Sequence, residues 1–202
     1  MNTLADTQTV EKTIETLKSN NINAIFVENG EEAKKKALEL IPEGAEIMTA
    51  TSVTLDTIGL TKEINESGKY NAVKPKLFTM DRKTQDLEMN KLGAAAEWTI
   101  GSVHAVTQEG NVVIASQTGS QLASYVYGSK HLLWIVGTQK IVKDLDAAMK
   151  RIYSYTLPLE AERANKAYNI TSGSAVNKLL IVNKEIKPQR ITLIFVNEVL
   201  GF

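Results

Sequence analysis

Residues 97–121 gather more groups able to do chemistry than any other stretch of the chain: Glu97, Ser102, His104, Ser116, Thr118, Gly119 and Ser120. Two apolar runs flank a Glu109-Gly110-Asn111 turn, and the second run empties into Ser116-Gln117-Thr118-Gly119-Ser120-Gln121. A strand that ends in small polar residues just ahead of a helix collects free backbone N–H groups at one edge of a sheet. Such an edge suits a phosphate, a carboxylate or another anion. A hairpin followed by an N-capped helix accounts for the same residues without any ligand.

The pattern recurs. Thr49-Ala50-Thr51-Ser52-Val53-Thr54 reads as a strand end, hydroxyl residues and a helix start, and either anion binding or capping explains it. Gly137-Thr138-Gln139-Lys140 follows the apolar run 132–136, where Lys140 is a candidate point charge for an anion. In a parallel sheet such strand ends share one side. The predicted ligand-binding set is therefore Thr51, Ser52, Ser116, Thr118, Gly119, Ser120 and Lys140, converging on one cleft.

Glu97, Ser102 and His104 are the candidate acid–base groups. Strand alternation puts Ser102 and His104 on one face with Ile100 and Val106, ~7 Å apart at the backbone, which is too far for a tight nucleophile–base pair. Glu97 lies at an odd separation from both and falls on the opposite face, where a surface ion pair explains it as well as a catalytic role does. Without a third group to orient the imidazole, His104 lacks what would make it a committed base.

Alternating helices and short β-branched runs must position these residues. Val10, Ile14 and Leu17 share a helix face over 9–19, and a second helix carries Ala33, Ala37, Leu38 and Ile41. A third runs from Val53 through Ile64, a fourth is capped by Thr84, a short one covers 120–127, and Asp144–Tyr155 is helical. Strands are predicted at 23–27, 46–49, 111–115 and 132–136, with late strands at 178–182 and 190–196. Lys74-Pro75-Lys76 argues against a central strand nearby. The predicted fold is α/β: a mostly parallel central sheet flanked by helices, in one domain over residues 1–202.

Bulk composition narrows the function. The 202 residues are 43% hydrophobic and 23% charged, with 23 acidic against 23 basic side chains. That balance gives no basic footprint for nucleic acid. With no cysteine, the chain cannot hold a disulfide, a thiolate metal site or an iron–sulfur cluster of its own, and two histidines are too few for most zinc sites. No apolar run approaches the ~20 residues of a membrane span, and the N-terminus lacks the pattern of a secretion signal, so a cytoplasmic protein is expected. Neither a Walker A nor a Gly-x-Gly-x-x-Gly pattern is present, and no cofactor can be named.

Ala96–Ser102, Thr107–Asn111, Ala115–Ser120 and above all Val136-Gly137-Thr138-Gln139-Lys140-Ile141-Val142, with Asp144-Leu-Asp-Ala-Ala148 after it, resemble the LUD domain family, named for lactate utilisation. The likeness runs from the first β-α unit to Leu157-Pro-Leu-Glu160. It implies a fold like that of glucosamine-phosphate deaminase, ribose-phosphate isomerase and CoA transferases. It also implies, for lactate-utilisation members, an iron–sulfur oxidoreductase partner. Many members carry a Glu-Thr-Gly-Thr turn where this chain has Ser102 in the carboxylate position and His104 in the glycine position, so no role of that glutamate transfers here.

Three functions follow as expectations. The first is a protein that binds a small anionic metabolite, or the anionic part of a cofactor, accessory to organic-acid metabolism. The second is an enzyme acting on a sugar phosphate or an acyl-CoA. The third is a structural subunit without a small-molecule site. The oligomeric state is left open, with no nucleic-acid or membrane partner expected.

Overall fold

The computed structural model describes residues 1–168 and 173–202. The chain begins with α1 (Thr7–Ser19), whose first turn is capped by Asp6 accepting the Thr9 N–H at 2.8 Å. Val10, Thr13 and Leu17 form its buried stripe. Then come β1 (Ile22–Val27), α2 (Gly30–Leu40, capped by Asn29) and β2 (Glu46–Thr49). The predicted single helix after β2 is in fact two, α3 (Val53–Thr57) and α4 (Leu60–Glu66). They break at Gly59, whose φ of 67° a side chain would resist.

Residues 71–94 form a two-residue edge strand β3 (Asn71–Ala72), α5 (Val73–Thr79) and α6 (Arg82–Ala94). Pro75 falls in the first turn of α5, where its missing N–H costs nothing. Asp81, not Thr84, caps α6. Next come β4 (Trp98–Gly101), β5 (Ala105–Thr107), β6 (Val112–Ser116), β7 (His131–Gly137) and β8 (Ile141–Val142). The chain closes with α7 (Leu145–Arg151), α8 (Leu157–Tyr168), β9 (Lys178–Val182) and β10 (Ile191–Val196).

Six strands form a parallel sheet in the order β1-β10-β7-β4-β2-β3. β7 is interior, and Leu132 to Val136 are all buried along it. The prediction for 111–115 needs correcting. β6 belongs to a second sheet, β8-β5-β6-β9, pairing antiparallel with both β5 and β9. The run 98–107 is not one strand either. The chain leaves the first sheet at Gly101 and enters the second at Ala105, so Ser102–His104 is a crossing segment and strand alternation does not apply to it.

The sheets share one apolar layer in which Val106, Val112 and Ile114 meet Leu132, Trp134, Leu193 and Phe195. Burying each such side chain contributes roughly 1.5–3 kcal/mol. The opposite face of the parallel sheet packs Ala33, Ala37, Leu55, Leu60 and Ile64 against Ile47, Ile100 and Ile135.

Two helical predictions also change. The short helix expected at 120–127 is present at 122–128, but most of it, residues 124–128, is a single π-helical turn. After α7 the helix passes through another π-helical turn at 152–156 and continues as α8. π-helical turns often mark functional positions, and both of these border the cleft described next. No helix among the described residues is long and apolar enough to cross a membrane.

Candidate functional site

Strand order reverses beside β2 and β4. From β2 the chain goes outward to β3, whereas β4, β7 and β10 succeed one another toward the other edge. Ligands of open α/β sheets bind outside the carboxyl ends of the strands at such a switch point. A cavity of about 350 Å³ lies there, lined by segments 50–54, 102–104, 115–118 and 120–121, by Tyr125 and Lys140, and by residues of both π-helical turns and α8.

Lys140 dominates its chemistry. The short helical turn Thr138–Lys140 after β7 folds the side chain inward, leaving it 2% exposed. Its ammonium donates to Ser102 Oγ at 3.1 Å and to Thr54 Oγ1 at 3.2 Å. Among the described residues no carboxylate pairs with it. Burial, reinforced by the positive charge of Arg151, brings its pKa down to about 7.

His104 is fixed on three sides. Its N–H donates to the Val113 carbonyl at 3.0 Å, its own carbonyl accepts from Arg151 Nε at 3.0 Å, and its Nδ1 accepts the Ala115 N–H at 3.1 Å. Because Nδ1 is an acceptor, the proton of the neutral ring sits on Nε2. Burial, with the charges of Lys140 and Arg151, lowers the imidazole pKa to about 3. His104 is therefore a neutral Nε2–H donor, not a base poised near neutral pH.

Of the predicted ligand-binding set, Thr51, Ser52, Ser116, Thr118, Ser120 and Lys140 line this one cavity, while Gly119 does not. Most of their polar groups are already engaged. Ser52 Oγ caps α3 by accepting the Leu55 N–H at 3.4 Å, and Thr51 Oγ1 accepts from Lys74 Nζ at 3.3 Å. Ser116 Oγ accepts the Gly119 N–H at 2.9 Å, and Thr118 Oγ1 accepts the Ser120 N–H at 3.3 Å. The loop thus satisfies the Gly119 and Ser120 N–H groups from within, and Lys140 is the strongest anion-attracting group on the cavity floor.

The acid–base candidates separate. Ser102 and His104 line the cavity, with Ser102 bound to Lys140 and not to the imidazole. Glu97 precedes β4 at the opposite end of the sheet, exposed, in an ion pair with Lys130 at 3.4 Å. It cannot serve a reaction at the strand carboxyl ends. Among the described residues no group of three His, Cys, Asp or Glu could hold a metal ion.

Three further residues of the cleft stand outside the predicted ligand-binding set, although Thr54 belongs to the strand-end motif 49–54. Thr54 is 1% exposed, and its hydroxyl donates to the Leu200 carbonyl at 3.2 Å while accepting from Lys140. Tyr125 OH donates to the Ser102 carbonyl at 3.4 Å, and burial raises its pKa. Thr156, in the second π-helical turn, is 2% exposed with its hydroxyl unpartnered at the cavity wall. Arg163 and Glu160 form a bidentate pair at 2.7 Å along the cavity.

The family model for the LUD domain matches residues 10–196. None of the curated proteins compared matches the chain. Among solved structures, a DUF162 family protein from Deinococcus radiodurans is similar over 96% of this chain and 100% of its own length, with a TM-score of 0.60 at 9% identity. Ribose 5-phosphate isomerase from Plasmodium falciparum is similar over 56% of this chain and 52% of its own, with a TM-score of 0.34 at 12% identity.

Proposed function

The chain belongs to the LUD domain family, and from that premise we propose that its strand-end cleft binds a small organic anion whose charge is met by Lys140. One observation carries this: a buried lysine at the cleft floor whose partners, among the described residues, are two hydroxyls and no carboxylate. A charge held out of water without an opposite charge is costly. An incoming carboxylate or phosphate supplies that charge. Among the described residues the ammonium is the most strongly attractive group on the floor, so the ligand's anionic end goes there.

The accompanying biological role is accessory: a cytoplasmic protein of organic-acid metabolism, working beside oxidoreductase subunits, with an iron–sulfur partner. That part rests on the family's name, whereas the anion site rests on the geometry of Lys140.

A thermal-shift screen of short carboxylic acids, hydroxy acids, sugar phosphates and CoA esters tests the site. A ligand at 100 times its Kd adds about 2.7 kcal/mol of stability. The shift is expected for at least one small acid and is expected to vanish in Lys140→Met. Equal shifts in both proteins would reject Lys140 as the anchor.

A further inference from the structure

Lys140 is placed to react as well as to attract. A carboxylate partner would hold its amine protonated, but Ser102 and Thr54 present hydroxyls, which can accept from an ammonium or donate to a free amine. Two further donors border the same space. One is His104 Nε2–H, whose proton position is fixed by the Ala115 N–H on the other ring nitrogen. The other is the buried, unpartnered hydroxyl of Thr156. A desolvated amine beside fixed neutral donors is the arrangement that favours attack on a carbonyl carbon.

We propose that the cleft takes a small aldehyde or ketone bearing an acidic group, and that Lys140 condenses with its carbonyl carbon to form an imine. The proposal rests on the reading of the cleft as an anion site. It extends that reading, because the protonated imine keeps a positive charge beside the ligand's acidic group after the amine has been consumed.

The step balances without any redox partner. The amine lone pair forms the N–C bond as the C=O π bond opens, and an amine proton passes to the oxygen to give a carbinolamine. The C–O bond then breaks, the hydroxyl leaves with the second amine proton as water, C=N remains, and a proton taken up from solvent converts it to the cationic imine. One amine and one carbonyl become one imine and one water. His104 Nε2–H donates to the oxygen as charge develops on it. Burial leaves about half of the Lys140 amine neutral near pH 7, a fraction roughly a thousandfold above that of an exposed lysine.

Reductive trapping tests this. The protein is incubated at neutral pH with limiting glyoxylate, or with glycolaldehyde phosphate, and cyanoborohydride, then digested and mapped by mass spectrometry. The expected result is one reduced adduct on Lys140, ahead of every surface lysine. Lys140→Arg keeps the cation and is expected to lose that adduct. Ser102→Ala keeps the amine and is expected to slow the adduct's formation. Glycolate, an acid with no carbonyl, is titrated in parallel by calorimetry. Adducts scattered over surface lysines with none at Lys140, in protein that binds glycolate or another small acid, would overturn the imine and leave the anion site standing. No adduct at Lys140 and no binding of any acid would overturn both.

Discussion

The ammonium of Lys140 lies 3.1 Å from the hydroxyl of Ser102, so the turn after β7 is joined to the point where the chain leaves β4 for the second sheet. That bond closes the floor of the cleft across two neighbouring strands, β4 and β7. It also fixes a positive charge where strand order reverses, the place at which this architecture leaves room for a ligand.

The buried amine gives stability a specific dependence on pH. The folded pKa of Lys140 is about 7, against an ordinary value of 10.5. Between those values the unfolded chain binds more protons than the fold, so unfolding free energy rises with pH across that window, by at most about 1.4 kcal/mol per pH unit. Below pH 7 both states are protonated and this contribution is flat. Urea denaturation of the wild type and Lys140→Met at several pH values checks it. The variant is expected to lack the slope.

His104 behaves in the opposite range. Its folded pKa of about 3 lies below the ordinary 6.5, so the fold loses stability through this group as pH falls from 6.5 toward 3 and loses none above it. At neutral pH the ring is expected to stay neutral with its proton on Nε2. Nitrogen NMR of the imidazole reads this directly. A His104 titration between about pH 5 and 8 would contradict the assignment.

Gly101→Ala tests the crossing between the sheets. A Cβ at this position would overlap the Tyr125 hydroxyl and sit 3.2 Å from Ala50 Cβ. Tyr125 is 1% exposed and has no room to retreat without disturbing Trp134, whose ring it meets edge-on. The expected loss is about 1–3 kcal/mol of stability by chemical denaturation, with weaker ligand binding because the Tyr125–Ser102 contact goes with it.

Arg190 is structural. It is 4% exposed and donates to the carbonyls of Ser129, Ser124 and Tyr125 at 2.9, 3.0 and 3.0 Å and to Glu185 at 2.7 Å. It fastens the first π-helical turn to the start of β10. Arg190→Met removes a donor from three carbonyls and breaks the ion pair with Glu185, and about 3–5 kcal/mol of stability is expected to go with it in a denaturation experiment.

The parallel sheet was legible because its strands are short β-branched runs separated by amphipathic helices: Ile22–Val27, Glu46–Thr49, His131–Gly137 and Ile191–Val196. The second sheet was not, because β6 takes its partner from β9, with Ser116 opposite Lys178, and pairing at that separation leaves no local pattern. The run 98–107 reads as one strand since both its halves are apolar, and only Gly101 hints at the change of sheet. At the site, sequence located the strand ends but not their state. Nothing in Gly137-Thr-Gln-Lys140 announces a lysine buried to 2%, and nothing in the serine- and threonine-rich loops announces that they bond to themselves. His104 sits in an apolar run, as a strand residue would. Its fixed tautomer comes from the Ala115 N–H, across a hairpin.

The central claim is that Lys140, as a cation, holds the ligand's acidic group. Isothermal calorimetry of one small acid from the screen, at a series of pH values from about 6 to 9, tests it most directly. The account predicts tight binding below pH 7 and about a tenfold loss of affinity per pH unit above it, as the free amine sheds its proton. It also predicts proton uptake on binding near pH 7, visible as a dependence of the measured heat on the buffer. Affinity that stays constant across this range, with no proton taken up, would contradict it.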